Sequence, residues 1–454
     1  MIETLKIKVQ KILPKSILRV ILKYYQRFLN LILNLFFHLK LNKPSKKIIV
    51  VGVTGTKGKS TVCFLAYSLL QALSIKTSLS SSDYIAYGNK LEENKTLNTM
   101  PGRGFLHKFL YQSLKNDCKI AIIEVTSEGL MYGRDYFVDF DIGIFLNLHP
   151  EHIQTHGSYE KYKKDKRKLF KKISKSKTKK YLNGKEIEKS IIANLDDIQF
   201  NYFTNFPVKK ITFSLKTQAD IKPVNWSLNE QETTFKLWQE EFKSPLVGEF
   251  NLYNILASLA LLVCLKIDLN QENIEKIKEE ISKNRGVPLR MELIKAKNFK
   301  ILIDFAHTPE SIKQVFETIN KVFEKPKRII SIIGADGGLR DKWKRPIFGE
   351  ICAKYSDFVV ITDVNPYFED GNEIIEQIFV GAKNYLEKWN LKKEIIKIKE
   401  RKEAIKWAVK NAQEGDLIVS LVKGRDPYII TGKEKIPWNE KEVFLEVLKE
   451  YNKI

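Results

Sequence analysis

The stretch "KKIIVVGVTGTKGKSTVCFLAYSLLQAL", residues 46–73, decides the fold. Its apolar run over 48–53 is short, β-branched and followed by glycine, which reads as a buried strand. Residues 60–73 carry apolar side chains at helical spacing. Between them, Gly52, Gly55 and Gly58 let the backbone approach a ligand closely, and the N–H groups of such a turn and of the helix start favour an anion. Lys59 would reach the β- and γ-phosphates of a nucleotide, and Ser60 would place its hydroxyl on Mg²⁺. A strict GxxxxGK[ST] loop needs glycine at position 53, where this chain has Val53; the spacing here is GxTGTxGKS. A chance glycine turn is the competing reading, and the flanking strand and helix argue against it. The loop alone does not say what the phosphate is used for.

Two more apolar stretches end in polar residues: "KIAIIEVTSEGL" (119–130) and "FDIGIFLNLHPEH" (140–152). Strand, loop and helix in alternation predict an α/β fold with a mostly parallel sheet and helices on both faces. Functional groups then gather at the carboxyl ends of the strands. Glu124 and His152 fall at such ends, and Glu124 is a hard oxygen ligand suited to Mg²⁺. Residues 200–245, with "KKITFSL" and "TTFKLWQ", alternate weakly and predict a small antiparallel addition. "GVPLR" (286–290) reads as a linker, after which a second α/β series begins with "KILIDFA", "RIISIIGAD", "FVVITDVNP" and "GDLIVSLVKG". The predicted organisation is a short basic helical segment over 1–46, a central P-loop ATPase domain over 47–285, and a Rossmann-like α/β domain over 286–454.

The formal net charge is +23, and it is unevenly spread. Residues 1–47 hold eleven Lys and Arg against one acid, Glu3, and residues 161–180 hold twelve. Neither run has the interleaved aromatics of a single-strand nucleic-acid platform, so no nucleic acid is expected as partner. Residues 1–40 predict one or two basic amphipathic helices. Their apolar pieces are split by Asn34 and too short to span a bilayer. Three roles stay open for them: contact with a membrane surface, packing on the body, or binding a partner. The four cysteines, Cys63, Cys118, Cys264 and Cys352, are scattered, which argues against disulfides or a zinc cluster and for a reducing compartment. The expected location is the cytoplasm, peripheral to the inner membrane face if residues 1–40 engage it.

Seven blocks follow the loop in order: "IEVTSEGL", "NLHPEHIQTHGSYEKYKKDKRKLF", "GEFNLYNILASLAL", "PLRMELI", "LIDFAHTPESI", "GADGGLRDKWKRPIFGEI" and "ITDVNPYFEDGNEII". With the loop they resemble the Mur ligase family, the ATP-dependent amide-forming enzymes of peptidoglycan assembly. The likeness is strongest to the branch that adds the third stem-peptide residue, and it covers residues 47–454. It implies ATP and Mg²⁺ as cofactors, with a muramoyl-peptide-like acceptor and an amino acid as substrates. The acceptor carboxylate would be activated as an acyl phosphate and then attacked by the amine.

The resemblance also implies roles. Gly55, Thr56, Gly58, Lys59, Ser60, Thr61, Asn254, Arg290, Asp304 and His307 would bind ATP. Asn98, Thr99, Thr126 and Ser127 would bind the acceptor, and Arg340, Asp363, Asn365 and Asp426 the amino acid. Ser60, Glu124 and His152 would hold metal. Lys59, Glu124, His152 and Lys166 would be catalytic, with Lys166 carbamylated to N6-carboxylysine. The chain departs from the family in several places. Relatives carry a longer, uridine-binding region before the loop, so a lipid-linked acceptor is open as well as a UDP-linked one. Glu128 stands in place of a histidine, Asp165 in place of an alanine, Tyr367 in place of the arginine of the DNPR motif, and "KGRDPY" in place of KGHExY. The added amino acid stays open among diaminopimelate, lysine and another diamine. Two other readings compete: a folylpolyglutamate-synthase-like ligase, and a nucleotide-dependent membrane-associated binding protein that has lost ligation.

Overall fold

A computed structural model describes residues 15–96, 98–338 and 340–454. The strand Ile49–Thr54 forms where the apolar run predicts it and sits near the centre of an eight-stranded sheet. Its neighbours are Ile120–Glu124 and Ile142–Phe145, both parallel to it. Thr77–Ser80 continues the parallel set on one side, and Ser190–Asn194 with Lys209–Phe213 on the other. Only the two pairings at one edge, of Tyr84–Tyr87 with Thr77–Ser80 and with Lys90–Glu93, are antiparallel.

Both faces are covered. Val51 and Val53 pack towards the helices Lys59–Ala72 and Glu249–Cys264, while Ile48 and Val50 pack towards Phe105–Lys115 and Tyr159–Lys175. Gly52 and Gly143 set how closely the last helix lies. A Cβ at Gly52 would come within 2.9 Å of Leu169, and one at Gly143 within 2.6 Å of Ile173. That approach presses Lys166, on the same helix, into the interior. The antiparallel addition exists but is smaller than expected: Asn225–Leu228, Thr233–Leu237 and Glu240–Ser244. "KKITFSL" belongs instead to the main sheet, as its parallel edge strand Lys209–Phe213. All four cysteines are free and buried.

The second series builds a six-stranded sheet in the order Glu292–Lys295, Lys300–Ile303, Leu417–Ser420, Ile329–Ile333, Phe358–Ile361, Glu394–Lys397. All pairings are parallel except the first. Pro309–Val322, Lys344–Tyr355 and Gly371–Lys388 cover one face, and Arg401–Asn411 with Glu440–Glu450 the other.

Of the N-terminal segment, residues 1–14 lie outside the described residues, and Lys15–Lys40 is one helix. It docks by its polar side. Asn30, Asn34 and His38, spaced by four, are buried. Asn30 Nδ2 donates to Tyr132 O at 3.0 Å, and Arg103 N–H donates to Asn30 Oδ1 at 2.9 Å. Arg27 Nη2 donates to Tyr136 OH at 3.1 Å. The opposite side carries Ile21, Tyr25, Phe28, Ile32, Leu35 and Leu39 in a 4-3-4-3-4 spacing, 41–59% exposed. Surface helices ordinarily turn the apolar stripe inward; this one turns it outward. No helix among the described residues is long and apolar enough to cross a membrane.

Candidate active site

The phosphate loop lies at the carboxyl end of Ile49–Thr54, and Gly58 caps the following helix with φ +83°. A Cβ there would come within 2.3 Å of Asn254 Oδ1, so backbone conformation and space both require glycine. Asn147 Oδ1 accepts from the N–H groups of Thr56 and Lys57, at 3.1 and 2.9 Å. Thr56 Oγ1 bonds Tyr162 OH at 3.0 Å. Lys59 Nζ donates to Thr56 O at 2.9 Å, which holds its charge over the loop. Thr61 is buried in the first turn of the helix.

Glu124 and Ser60 meet as the loop reading requires. Ser60 Oγ donates to Glu124 Oε2 at 3.0 Å, and Ser82 N–H donates to the same oxygen at 2.8 Å. Lys166 is 2% exposed, and its Nζ donates to Gly55 O at 2.8 Å. No carboxylate pairs with it among the described residues. Burial, and then the charge of Lys59, push its pKa well below the ordinary lysine value. Its amine is therefore held towards the neutral form.

His152 has φ +56° at the start of a short helix. Its ring lies 3.9 Å from Glu128 and 3.8 Å from Glu151, and burial in the cleft lowers its pKa to about 3. The shift favours the neutral imidazole, the form able to act as a ligand. Glu128, where the family has histidine, thus faces His152. Among the described residues no group of three or more His, Cys, Asp or Glu side chains converges as a metal cage. The hydroxyl–carboxylate pair of Ser60 and Glu124 fits Mg²⁺, which takes one or two protein oxygens and completes its shell with phosphate and water.

Glu151 was not singled out by the sequence reading, yet it ties the cleft together. It faces Lys57 and His307, each at 3.4 Å. Against the burial that would raise it, Lys57, His152 and His307 hold its pKa well below the usual range. Burial lowers Lys57 to about 8 and His307 to about 4. From the second sheet, Arg290 stands between Leu289 and Met291, whose φ values are +60° and +52°. Such backbone persists where the surroundings hold it: Leu289 N–H donates to Glu292 and Met291 N–H to Asp304, both at 2.8 Å. Arg290 reaches Asp83 at 3.6 Å, and burial raises the pKa of Asp304.

The residues assigned to the amino acid divide. Arg340 pairs with Asp336 at 3.2 Å, and Asn365 Nδ2 donates to both Asp336, at 2.9 Å, and Asp426. Buried Lys423 completes the cluster through Asn365 and Asp426. Asp363 does not join it. Its carboxylate packs against Gly371 at the start of the helix Gly371–Lys388, where burial raises its pKa to about 6. Arg425 is also committed elsewhere: it bonds Asp83 O at 3.4 Å and Glu93 at 3.2 Å, and lies over the Tyr84 ring.

On the acceptor side, Asn98, Thr99, Thr126 and Ser127 line the same cleft of about 370 Å³ as the loop, Glu124, His152, Arg290, His307 and Arg340. Thr99 Oγ1 bonds Ser82 Oγ at 2.6 Å, and Thr126 caps the helix Ser127–Met131. Ser127 belongs to a chain that the sequence reading missed. His156 Nε2 meets Ser127 Oγ at 3.1 Å, and His156 Nδ1 meets Asp165 Oδ2 at 2.8 Å. With Asp165 ionised, Nδ1 keeps the proton and Nε2 accepts from Ser127. The serine lone pairs are then left for a donor in the cleft. Asp165→Ala leaves His156 buried with one nitrogen unsatisfied and is expected to cost about 1–3 kcal/mol. Denaturant unfolding checks this, and an unchanged midpoint would contradict it.

Comparison with known proteins agrees with this geometry. Residues 53–262 match the Mur ligase middle domain, and residues 289–424 match the Mur ligase glutamate ligase domain. A UDP-N-acetylmuramoyl-L-alanyl-D-glutamate–2,6-diaminopimelate ligase from Clostridium acetobutylicum is 34% identical over 90% of this chain and 80% of its own. A UDP-N-acetylmuramyl-tripeptide synthetase from Borreliella burgdorferi is 32% identical over 92% and 79%. A solved diaminopimelate ligase structure superposes with a TM-score of 0.59 at 26% identity, over 90% and 80%. These matches make this chain an ATP-dependent amide-forming ligase. The chain belongs to the Mur ligase family.

Proposed function

We propose that this chain joins an amino acid to the carboxylate of a UDP-N-acetylmuramoyl-dipeptide-like acceptor in peptidoglycan synthesis. The observation that carries the reading is one cleft with three chemistries along it. Lys59, Ser60 and Glu124 lie at one end, with buried Lys166 behind the loop on Gly55 O, Asn98 and Ser127 at the acceptor wall, and Arg340 reaches in from the Asp336–Asn365–Asp426 cluster. The domain division 1–46, 47–285 and 286–454 is part of this reading. The acceptor carboxylate oxygen attacks the γ-phosphorus, and ADP leaves. The substrate amine then attacks the acyl carbon, phosphate leaves, and the amine's proton passes to water or a nearby base. Lys59 meets the negative charge that builds on the phosphates. Mg²⁺, when bound, neutralises more of that charge; Ser60, Glu124, a carbamate on Lys166 and the neutral ring of His152 are the groups that would hold it. Asn254 would meet the nucleotide beside the loop, Arg290 and Asp304 would close over it from the second domain with His307 nearby, and closure excludes water from the acyl phosphate.

Diaminopimelate, lysine and other diamines remain the candidates for the amine. Tyr367 offers no charge to a distal carboxylate, and Arg425 is bound to Asp83 and Glu93. Weak discrimination in favour of diaminopimelate is therefore expected. Phosphate release measured across a panel of amino acids, with products identified by mass, tests this. Release that needs no amino acid would refute ligation, and a strong preference for diaminopimelate over lysine would refute the pocket assignment. A folylpolyglutamate-type reaction shares the architecture, but the "RMELI" and "DVNP" blocks favour the peptidoglycan branch.

Contact with an anionic membrane surface through residues 1–40 is the second part of the proposal, with the enzyme on the cytoplasmic side. The outward stripe of Lys15–Lys40 supports it, and so does the absence of any acidic residue between Glu3 and Asp83. Each basic residue near such a surface contributes about 1 kcal/mol, screened by salt. Flotation with phosphatidylglycerol vesicles should succeed at low salt and fail at high salt. Equal flotation after Phe28→Glu with Leu35→Glu would contradict the assignment.

A further inference from the structure

We propose that the acceptor is presented from a bilayer, as a muramoyl-peptide-type carboxylate carried on a lipid pyrophosphate and not on a nucleotide. This rests on the ligase reading and on the membrane contact above; it keeps the muramoyl-dipeptide of the acceptor proposed there and replaces its UDP carrier.

The helix that bears the apolar stripe is bonded to the two loops that form the acceptor wall. Asn30 holds Arg103 N–H and Tyr132 O, and Asn34 Nδ2 reaches Gly133 O at 3.5 Å. The next residue, Arg134, donates to Asn98 Oδ1 at 3.2 Å and Met100 O at 2.8 Å, inside the cleft. The helix that bears the apolar surface and the acceptor residues are therefore linked by direct hydrogen bonds. The ring of Phe37 fills the space beside Gly104, where a Cβ would come within 2.1 Å of it, so helix and loop pack closely there. The stripe and the junction lie on opposite sides of the helix, about 10–12 Å apart, so a lipid pyrophosphate reaching the junction would pass around the helix from the bilayer surface.

The junction has the charge that a pyrophosphate needs. Arg103 is exposed, with no ion pair among the described residues, and Lys108 stands exposed over the Phe37 ring at 4.2 Å. Burial lowers the pKa of Arg134 but leaves it a cation. Guanidinium groups suit phosphate oxygens through paired, charge-assisted hydrogen bonds. An acceptor anchored in the membrane would also meet the enzyme in two dimensions, and this raises its effective concentration without new contacts.

The test uses the full chain with ATP, Mg²⁺ and lysine or diaminopimelate, whichever the panel selects. One acceptor is UDP-N-acetylmuramoyl-dipeptide in solution. The other is the same muramoyl-dipeptide on a polyprenyl pyrophosphate in phosphatidylcholine–phosphatidylglycerol vesicles. The lipid-linked acceptor is expected to show a kcat/KM higher by at least about tenfold, which corresponds to ~1.4 kcal/mol. Phe28→Glu with Leu35→Glu, shown to be folded by its circular-dichroism melt, should narrow the ratio to within about threefold. Equal or better use of the UDP-linked acceptor by the wild type would overturn the inference, and so would a preference that survives in the double variant. Turnover of the UDP-linked acceptor alone would leave the ligase reading standing while removing the lipid. Turnover of neither would remove both. A vesicle-free dimer that the same variant dissolves would assign the stripe to a second copy and also overturn it.

Discussion

Lys166→Ala is expected to lose at least about a hundredfold in ligation rate, the loss typical of removing a preorganised charge-stabilising group from a transferring centre. The physical case begins with its burial. A lysine 2% exposed, without a carboxylate partner among the described residues and close enough to Lys59 to be destabilised by it, is costly as a cation. The same forces favour the neutral amine, the only form that adds carbon dioxide. In that step the amine nitrogen bonds the carbon and one proton leaves, so that a cation's place is taken by an anion with two hard oxygens. Formate should restore part of the activity of Lys166→Ala by supplying a carboxylate there. Lys166→Arg should be inactive and not rescued, because it restores the cation. Full activity in Lys166→Ala would return the residue to a purely structural role.

Lys59→Ala should reduce ATP turnover on the order of a thousandfold while the fold persists, because phosphoryl transfer depends almost wholly on positioning and charge. Among the described residues the side chain makes one hydrogen bond, to Thr56 O, so its removal costs little packing. Phosphate release and a thermal melt measured together separate the two effects. Wild-type turnover in this variant would show that the loop does not hold the nucleotide as described. Loss of turnover together with a collapsed melting profile would mean that Lys59 also supports the fold.

The phosphate loop and both sheets were legible because their signals are local. Gly52, Gly55 and Gly58 stand within seven residues, and each strand announces itself as a β-branched run. Lys209–Phe213 was misplaced because an edge strand with one wet face alternates in the same way whether its partner runs parallel or antiparallel. The N-terminal helix was recognised as amphipathic, but amphipathicity does not say which face docks. Asn30 and Asn34 find carbonyl partners on the body, and those partners lie about a hundred residues away in sequence. The Ser127–His156–Asp165 chain was illegible for the same reason, since its members sit on three different helices or their caps. Asp363 and Asn365 are two residues apart, yet one turns under Gly371 and the other towards Asp426. Residues just past a strand end need not share a face, and the motif carries no sign of the turn.

The central claim is that this cleft activates a carboxylate by phosphorylation before an amine attacks it. The most direct measurement labels the acceptor carboxylate with oxygen-18, supplies ATP and the amino acid, and determines the mass of the released phosphate. Attack of a carboxylate oxygen on the γ-phosphorus, followed by loss of phosphate from the acyl carbon, predicts one labelled oxygen in each phosphate released. Phosphate released with product but without the label would contradict the account, because the oxygen would then have come from water and the carboxylate would never have been phosphorylated.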